Sequence, residues 1–483
     1  MSGDVLTGLD TRLRIGGELR PASDGAEFPV LDPATGGTIA SVASGTAEDA
    51  VAAVAAAHAA GPAWAATPPR ERGETLRRAF EAMIARRDEI AELIVLESGK
   101  SWGDAVGEVN YAAEFFRWFS EEAVRIDGGL MRAPAGDKHI LTMRQPVGVS
   151  VLVTPWNFPA AMATRKIGPA LAAGCTVVLK PASDTPLTAL LVADILTEAG
   201  VPGGVVNVLP SRSSGATVGA MLADRRTRKV SFTGSTEVGV KLLEGAARNV
   251  LRASMELGGN APFLVFADAD LDAAVEGAMV AKMRNGGESC IAANRFLVEA
   301  SVVDAFADAL TDRMAALRVG PGLDRSNDVG PVINAAAREE IDGLVRDSVT
   351  AGARVTTGGV ATDGPGFFYL PTVIRDVRPD AKLLRHEIFG PVAPIVPFRG
   401  EDEAVAMGND TEFGLASYVY TSDLGRAMRV AERLEAGVVG VNRGFLSDPA
   451  APFGGSKLSG LGREGAHDGL LEFLETKYIA AQW

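Results

Sequence analysis

The chain has 483 residues, of which 47% are hydrophobic and 22% charged; this is the balance of a globular protein, and at roughly 150 residues per domain it has room for two or three domains. Its 47 basic and 61 acidic residues leave a net charge of −14, which excludes a general nucleic-acid binder because like charge repels a phosphate backbone over the whole surface. Two cysteines and four scattered histidines offer neither a disulfide framework nor metal-ligand spacing, so no metal is expected.

In chain order, residues 1–14 carry acids and no apolar h-region, and no uncharged apolar run approaches the roughly 18 residues of a spanning helix. A cytoplasmic protein that meets no membrane is expected. Residues 51–66, Ala-rich and opened by Thr46 as N-cap, predict a surface helix. Apolar residues at helical spacing predict further helices over 75–97 and 105–124, so the first 125 residues read as mostly helical. Residues 128–149 hold two alternating stretches around Pro134-Ala135-Gly136-Asp137, a β-hairpin.

From residue 149 the rhythm changes. Strands at 149–153, 176–179, 205–209, 229–232 and 253–257 alternate with helices at 160–173, 185–199 and 235–247, which predicts a parallel sheet covered on both faces, by default a nucleotide-binding architecture. A second α/β series, with a strand at 261–266, helices at 271–284 and 302–317 and a strand at 295–298, runs to about residue 440. Residues 470–483 end in a predicted strand that could pair with the hairpin of a neighbouring subunit.

Several segments could carry chemistry. The one G-x-G-x-x-G match, Gly460 to Gly465, follows no strand and is read as a loop. Thr233-Gly234-Ser235 follows a strand and opens a helix, so its free N–H groups could receive a diphosphate; the same residues also make an ordinary glycine turn with Ser235 as N-cap. Gly99-Lys100-Ser101-Trp102-Gly103 fits the nucleophile elbow of serine hydrolases, but a helix precedes it where an elbow needs a strand. A serine or thiol hydrolase is therefore the alternative from another class. Cys175 enters an apolar strand and reads as core, whereas Cys290 lies in the Gly-rich loop Asn285-Gly286-Gly287-Glu288-Ser289-Cys290 between a helix and a strand, where a bend can present a thiol to a cleft.

Thr154-Pro155-Trp156-Asn157-Phe158-Pro159, Met255-Glu256-Leu257-Gly258-Gly259-Asn260 and Cys290 occur together and in this order, joined by Lys180-Pro181-Ala182-Ser183, Phe232-Thr233-Gly234-Ser235, Glu387-Ile388-Phe389-Gly390-Pro391 and Pro452-Phe453-Gly454-Gly455. Over nearly its whole length the chain resembles the aldehyde dehydrogenases, and its branch of succinate-semialdehyde dehydrogenases most. The resemblance implies an α/β fold with a Rossmann-type cofactor domain (8–126 and 149–256), an α/β catalytic domain (257–469) and a small β oligomerisation arm (127–148 and 470–483), assembled as a homodimer or homotetramer.

It also implies roles. Cys290 is the nucleophile that forms a thiohemiacetal and then a thioester, Glu256 the general base, and Asn157 the donor to the developing oxyanion. Trp156, Lys180, Pro181, Ala182, Ser183, Gly234, Ser235, Leu257, Glu387 and Phe389 fall at cofactor positions, and Arg165, Arg284 and Ser447 at contacts to a substrate carboxylate. Ser183 stands where NAD-preferring relatives often carry Glu, and a hydroxyl beside Lys180 can donate to a 2′-phosphate, so NADP is expected, with NAD possible as second cofactor. The expected reaction is oxidation of succinate semialdehyde; glutarate semialdehyde or another small aldehyde is the alternative. Three departures stand out: Glu288 adds an anion that could raise the thiol pKa, Asp448 must point away from a substrate carboxylate, and Ala292 leaves no second cysteine beside Cys290.

Overall fold

The computed structural model describes residues 4–483. Two large sheets dominate it. The first has eight strands in the order Glu18–Arg20, Leu13–Ile15, Val206–Val208, Thr176–Lys180, Val149–Val153, Thr227–Thr233, Arg252–Glu256 and Gly460–Leu461. The five from Val206–Val208 to Arg252–Glu256 run parallel, and the outer ones are antiparallel. Every residue of Val149–Val153 and Thr176–Lys180 is buried, because helices cover both faces and the strands therefore read as unbroken apolar runs. Helix Pro159–Ala173 is buried along its whole length, against helix Trp102–Glu122, and ends at Gly174 with φ 91°.

The second sheet follows the order Arg354–Thr357, Thr372–Arg375, Val392–Phe398, Ala293–Glu299, Ala261–Val265, Ala416–Tyr420 and Val438–Val441, parallel except at Arg354–Thr357. A third sheet of three antiparallel strands joins Gly129–Arg132, His139–Pro146 and Leu474–Ala481. No helix among the described residues is long and apolar enough to cross a membrane.

The first 125 residues are mostly helical, as expected, and the structure adds detail or departs from the sequence reading at four places. The first 45 residues are largely extended, with strands Leu13–Ile15, Glu18–Arg20, Glu27–Leu31 and Thr38–Ala43; these are only three to six residues long, too short for a period to stand out in the sequence. The helix expected over 75–97 is two helices, Pro69–Ala85 and Arg87–Ser98, separated at Arg86. The first buries a stripe and the second every residue from Leu93 to Ser98, which a straight continuation of one stripe could not do. Helix Ser214–Ala223 was not expected, because Gly215 and Gly219 weaken its helical signal. The terminal strand pairs with the hairpin of its own chain, Leu474 opposite Pro146 through Ala481 opposite His139.

In the first sheet the strand order reverses between Val149–Val153 and Thr227–Thr233: the chain adds Thr176–Lys180 and Val206–Val208 on one side, then Thr227–Thr233 and Arg252–Glu256 on the other. A crevice opens beyond the carboxyl ends of strands at such a reversal, and Trp156, Asn157, Gly234, Ser235 and Glu256 all sit at those ends.

Candidate active site

The crevice continues into a cavity of about 220 Å³ that faces the second sheet. Its wall includes Trp156, Asn157, Arg165, Gly234, Ser235, Leu257, Arg284, Cys290, Glu387, Phe389 and Ser447, so the structure brings together residues that are up to 291 positions apart (156 to 447). Thr233 of the strand-turn-helix motif lines it too, as do Tyr111, Phe158, Met162 and Phe453, which were not singled out from the sequence. Phe158 and Phe453 belong to motifs already quoted; Tyr111 carries no such signal, since an aromatic four residues before Phe115 on a helix looks like core.

Cys290 is delivered by a sharp bend. Helix Leu271–Met283 passes into a turn, Arg284–Gly287, in which Asn285, Gly286 and Gly287 all have positive φ (56°, 61° and 82°), a conformation that Asn and Gly tolerate best. The turn at Gly258-Gly259 packs tightly on this loop: a Cβ at Gly259 would overlap the carbonyl of Cys290. Burial pushes the Cys290 thiol up to about 12, the carboxylate of Glu387 adds to the effect and Arg165 opposes it. The resting thiol is therefore protonated, and it needs a proton acceptor to become a nucleophile. Contrary to expectation, Glu288 is not an anion acting on this thiol. It is buried, burial pushes its carboxyl up to about 8, and it accepts the N–H of Ile333 at 3.0 Å.

Glu256 ends strand Arg252–Glu256 and is 3% exposed, with neither carboxylate oxygen hydrogen-bonded. Its neighbours Leu257 and Gly258 line the cavity but Glu256 itself does not. Burial and the nearby Glu464 hold its carboxyl well above the usual range, against Arg165, Lys166 and Arg463. For Glu464 burial works the same way, but Lys166 and Arg165 outweigh it and keep that carboxyl ionised below the usual range. Of the two carboxyls, Glu256 is therefore the one that keeps its proton. Glu387 does line the cavity; burial pushes it up to about 8, opposed by the Gly259 N–H that it accepts at 3.2 Å and by Lys282.

At the other end stand two guanidinium groups among aromatic rings. Arg284 donates to Ser447 Oγ at 2.8 Å and lies 4.9 Å from the ring centres of Phe158 and Phe445. Arg165 is 3% exposed, sits 4.4 Å from the ring centre of Phe453, and brings Nε to 2.6 Å from Glu464, while its Nη2 is buried with no hydrogen-bond acceptor. Asp448 is exposed and accepts the N–H of Ala450, and it does not line the cavity.

The cofactor positions divide into two groups. Trp156 meets Phe389 edge to face at 5.3 Å, and Gly234 and Ser235, the cap of helix Thr236–Ala247, line the cavity. Thr233 Oγ1 is buried without a partner there, so an anionic, hydroxyl-rich ligand such as a dinucleotide meets donors and acceptors that the chain leaves open. Lys180, Pro181, Ala182 and Ser183 lie outside the cavity, at the end of the neighbouring strand where Lys180 pairs with Val153. Burial lowers the Lys180 ammonium to about 8, opposed by Asp184. His386 is exposed beside Glu387 and takes no part. The hydrolase alternative fails on geometry: Ser101 is 4% exposed, caps helix Trp102–Glu122 and bonds Asp104 at 3.0 Å, and no strand precedes it.

Comparison with known proteins agrees with this geometry. The model of the aldehyde dehydrogenase family matches residues 20–479. The chain belongs to that family. Among curated relatives, the succinate-semialdehyde dehydrogenase of Paenarthrobacter nicotinovorans is 56% identical over 91% of this chain and 98% of its own length. The glutarate-semialdehyde dehydrogenase of Pseudomonas putida is 48% identical over 96% of each chain. Among solved structures, an NADP-dependent enzyme of Escherichia coli superposes with a TM-score of 0.97 at 47% identity, covering 98% of both chains. This aldehyde dehydrogenase is thus an oxidoreductase of α/β fold, as the motifs implied.

Proposed function

We propose that this aldehyde dehydrogenase oxidises succinate semialdehyde to succinate with NADP, NAD being the weaker cofactor. The observation that carries the reading is a single cavity holding Cys290 together with Arg165, Arg284 and Ser447. A short aldehyde with a carboxylate at its far end places that anion on the guanidinium groups and its carbonyl carbon at the thiol. The open Nη2 of Arg165 and the Arg284–Ser447 pair are the donors for it.

An aldehyde does not release its hydrogen readily until a nucleophile has added to it. Cys290 Sγ attacks the carbonyl carbon as its proton passes to the ionised form of Glu256, and the oxygen becomes an oxyanion near Asn157 Nδ2 and the Cys290 N–H. A preorganised donor of this kind contributes roughly 3 to 4 kcal/mol to the transition state. A bound nicotinamide dinucleotide supplies the acceptor for the two electrons and the hydrogen. Trp156, Gly234, Ser235, Leu257, Glu387 and Phe389 would hold its nicotinamide half, and Lys180, Pro181, Ala182 and Ser183 its adenosine half. The acyl group then remains on Cys290 as a thioester, and Glu256, which carries a proton at rest and must first release it to solvent, removes a proton from the water that hydrolyses it. Because Glu256 lies just outside the cavity wall, its side chain must turn toward the cavity to act.

NADP is supported by the absence of a carboxylate at position 183 beside Lys180, and by the cofactor of the structural neighbour from Escherichia coli. Glutarate semialdehyde is the second reading, since the same arginines take a carboxylate one methylene further away and a close relative carries that name. The division into cofactor, catalytic and arm segments, and assembly through the arm, belong to the same proposal; the arm sheet exposes Leu130 at 64% and Met131 at 55%, one on each face, apolar surface suited to a second copy of the chain. Cytoplasmic residence completes it.

A panel of aldehydes assayed by the near-ultraviolet absorbance of reduced nicotinamide, with NADP and with NAD, tests the reading. Highest kcat/KM for succinate semialdehyde with NADP is expected; preference for glutarate semialdehyde selects the second reading, and preference for a neutral aldehyde defeats both.

A further inference from the structure

The segment Gly99-Lys100-Ser101-Trp102-Gly103 has no part in the reaction just derived, yet its lysine is held more firmly than almost any charge in the molecule. Lys100 Nζ lies 2.6 Å from Glu108 Oε2, with the two side chains 2% and 0% exposed. The same ammonium donates to the main-chain carbonyl of Asn157 at 2.7 Å. The other oxygen of Glu108 accepts the N–H groups of Ala160 and Ala161 at 2.8 and 3.2 Å. These are among the first free amides of helix Pro159–Ala173, whose N-cap residue, Phe158, provides no side-chain bond. One buried ion pair thus grips the Asn157–Phe158 turn on both sides.

The grip extends to the nucleophile loop. Asn285 Nδ2 donates to the carbonyls of Asn157 and Glu288 at 3.0 and 2.9 Å, and Asn157 Nδ2 donates to the Glu288 carbonyl at 3.1 Å. Lys100 is itself fixed at a left-handed corner, Gly99 with φ 81°, and a Cβ at Gly322 would overlap its carbonyl. A buried ion pair adds little net stability over an apolar pair of similar volume, so its consequence is one of geometry.

We propose that the Lys100–Glu108 pair is a positioning device for the oxyanion donor: it fixes the main chain at Asn157, and through it the side-chain amide relative to Cys290, and so governs the chemical step rather than the binding of either substrate. The proposal rests on the reading of Asn157 as the donor to the substrate oxygen. A displacement of about 1 Å at such a group lowers a rate by roughly 10²-fold. Ser101, at the centre of the elbow-like motif, acts only as the cap that starts the helix carrying Glu108.

The test uses the full-length enzyme with Lys100→Met and Glu108→Gln, each alone and combined with Asn157→Ala. Glu108→Gln keeps an oxygen for the Ala160 and Ala161 amides and so guards against simple misfolding. Each single variant is expected to lower kcat by roughly 10- to 100-fold. KM for the aldehyde, the dissociation constant of NADP read by tryptophan quenching, and the alkylation rate of Cys290 by iodoacetamide should stay within about twofold. In the Asn157→Ala background the further loss should shrink to less than about twofold. Wild-type kcat in both single variants, losses that multiply with Asn157→Ala, or a common failure to fold would each overturn the positioning role. If Asn157→Ala alone retains full kcat, the oxyanion reading fails and the positioning role falls with it; if Asn157→Ala is slow while Lys100→Met and Glu108→Gln are not, only the positioning role fails.

Discussion

The two ends of the cavity are made of different material. At one end the strand terminus Thr233 and the turn at Gly234 and Ser235 present mostly main chain, with the carboxyl of Glu387 alongside. At the other end the wall is side chain: Arg165 and Tyr111 from two packed helices, Arg284 from the turn before Cys290, and Phe158 and Phe453 from loops. The first end carries acid and the second carries base, and the thiol stands between them. Main-chain walls recognise what every substrate of the reaction shares, whereas side-chain walls select one substrate from many.

The proton acceptor serves both ends, so its removal should have the largest effect. Glu256→Gln is expected to cost about 10² to 10⁴ in kcat, whichever aldehyde is used. The sign of the pH dependence follows from its raised pKa: the base works only when ionised, so wild-type kcat is lost as pH falls through that raised value, and the variant should lose this limb. If Glu387→Gln removes the limb and Glu256→Gln does not, the two carboxylates exchange roles.

Next comes the contrast itself. Arg284→Ala should lower kcat/KM for succinate semialdehyde by roughly 10²-fold, since a charged hydrogen bond in a buried site is worth about 1.5 to 3 kcal/mol, and leave propanal nearly unaffected. Equal losses on both would erase the distinction between the ends. On the cofactor side, Ser183→Glu should move the NADP-to-NAD ratio of kcat/KM toward NAD by about 30-fold, because a carboxylate repels a 2′-phosphate and accepts from a 2′-hydroxyl.

The smallest effect is on stability. The folded protein keeps the proton on Glu288 up to about pH 8, so this carboxyl contributes fully below the ordinary carboxylate range and its contribution is lost as pH rises toward that value. Glu288→Gln retains an oxygen for the Ile333 N–H, and should raise Tm by about 2 to 4 °C near pH 8 and by little near pH 5.

The same contrast explains what the sequence made legible. Main-chain features leave local signatures: the strand-turn-helix at Thr233-Gly234-Ser235, the apolar runs of the parallel strands, and the Gly-rich loop before Cys290 were all readable from neighbours in the chain. Features made by side chains meeting across the fold were not. Spacing could not reveal that Arg165 shares its charge with Glu464, 299 positions away (165 to 464), or that Glu288 turns from the thiol toward Ile333. The strands before residue 45 escaped because runs of three to six residues are too short for a period to stand out. Lys100 escaped because a surface charge and a buried one look alike in a sequence.

The central claim is that one sulfur, at position 290, holds the substrate while it is oxidised. Rapid acid quench during turnover of succinate semialdehyde, followed by peptide mass spectrometry, tests it most directly. The account predicts a succinyl increment on the peptide containing Cys290 and none on that containing Cys175; an acyl group on any other residue, or unmodified Cys290 throughout turnover, would contradict it.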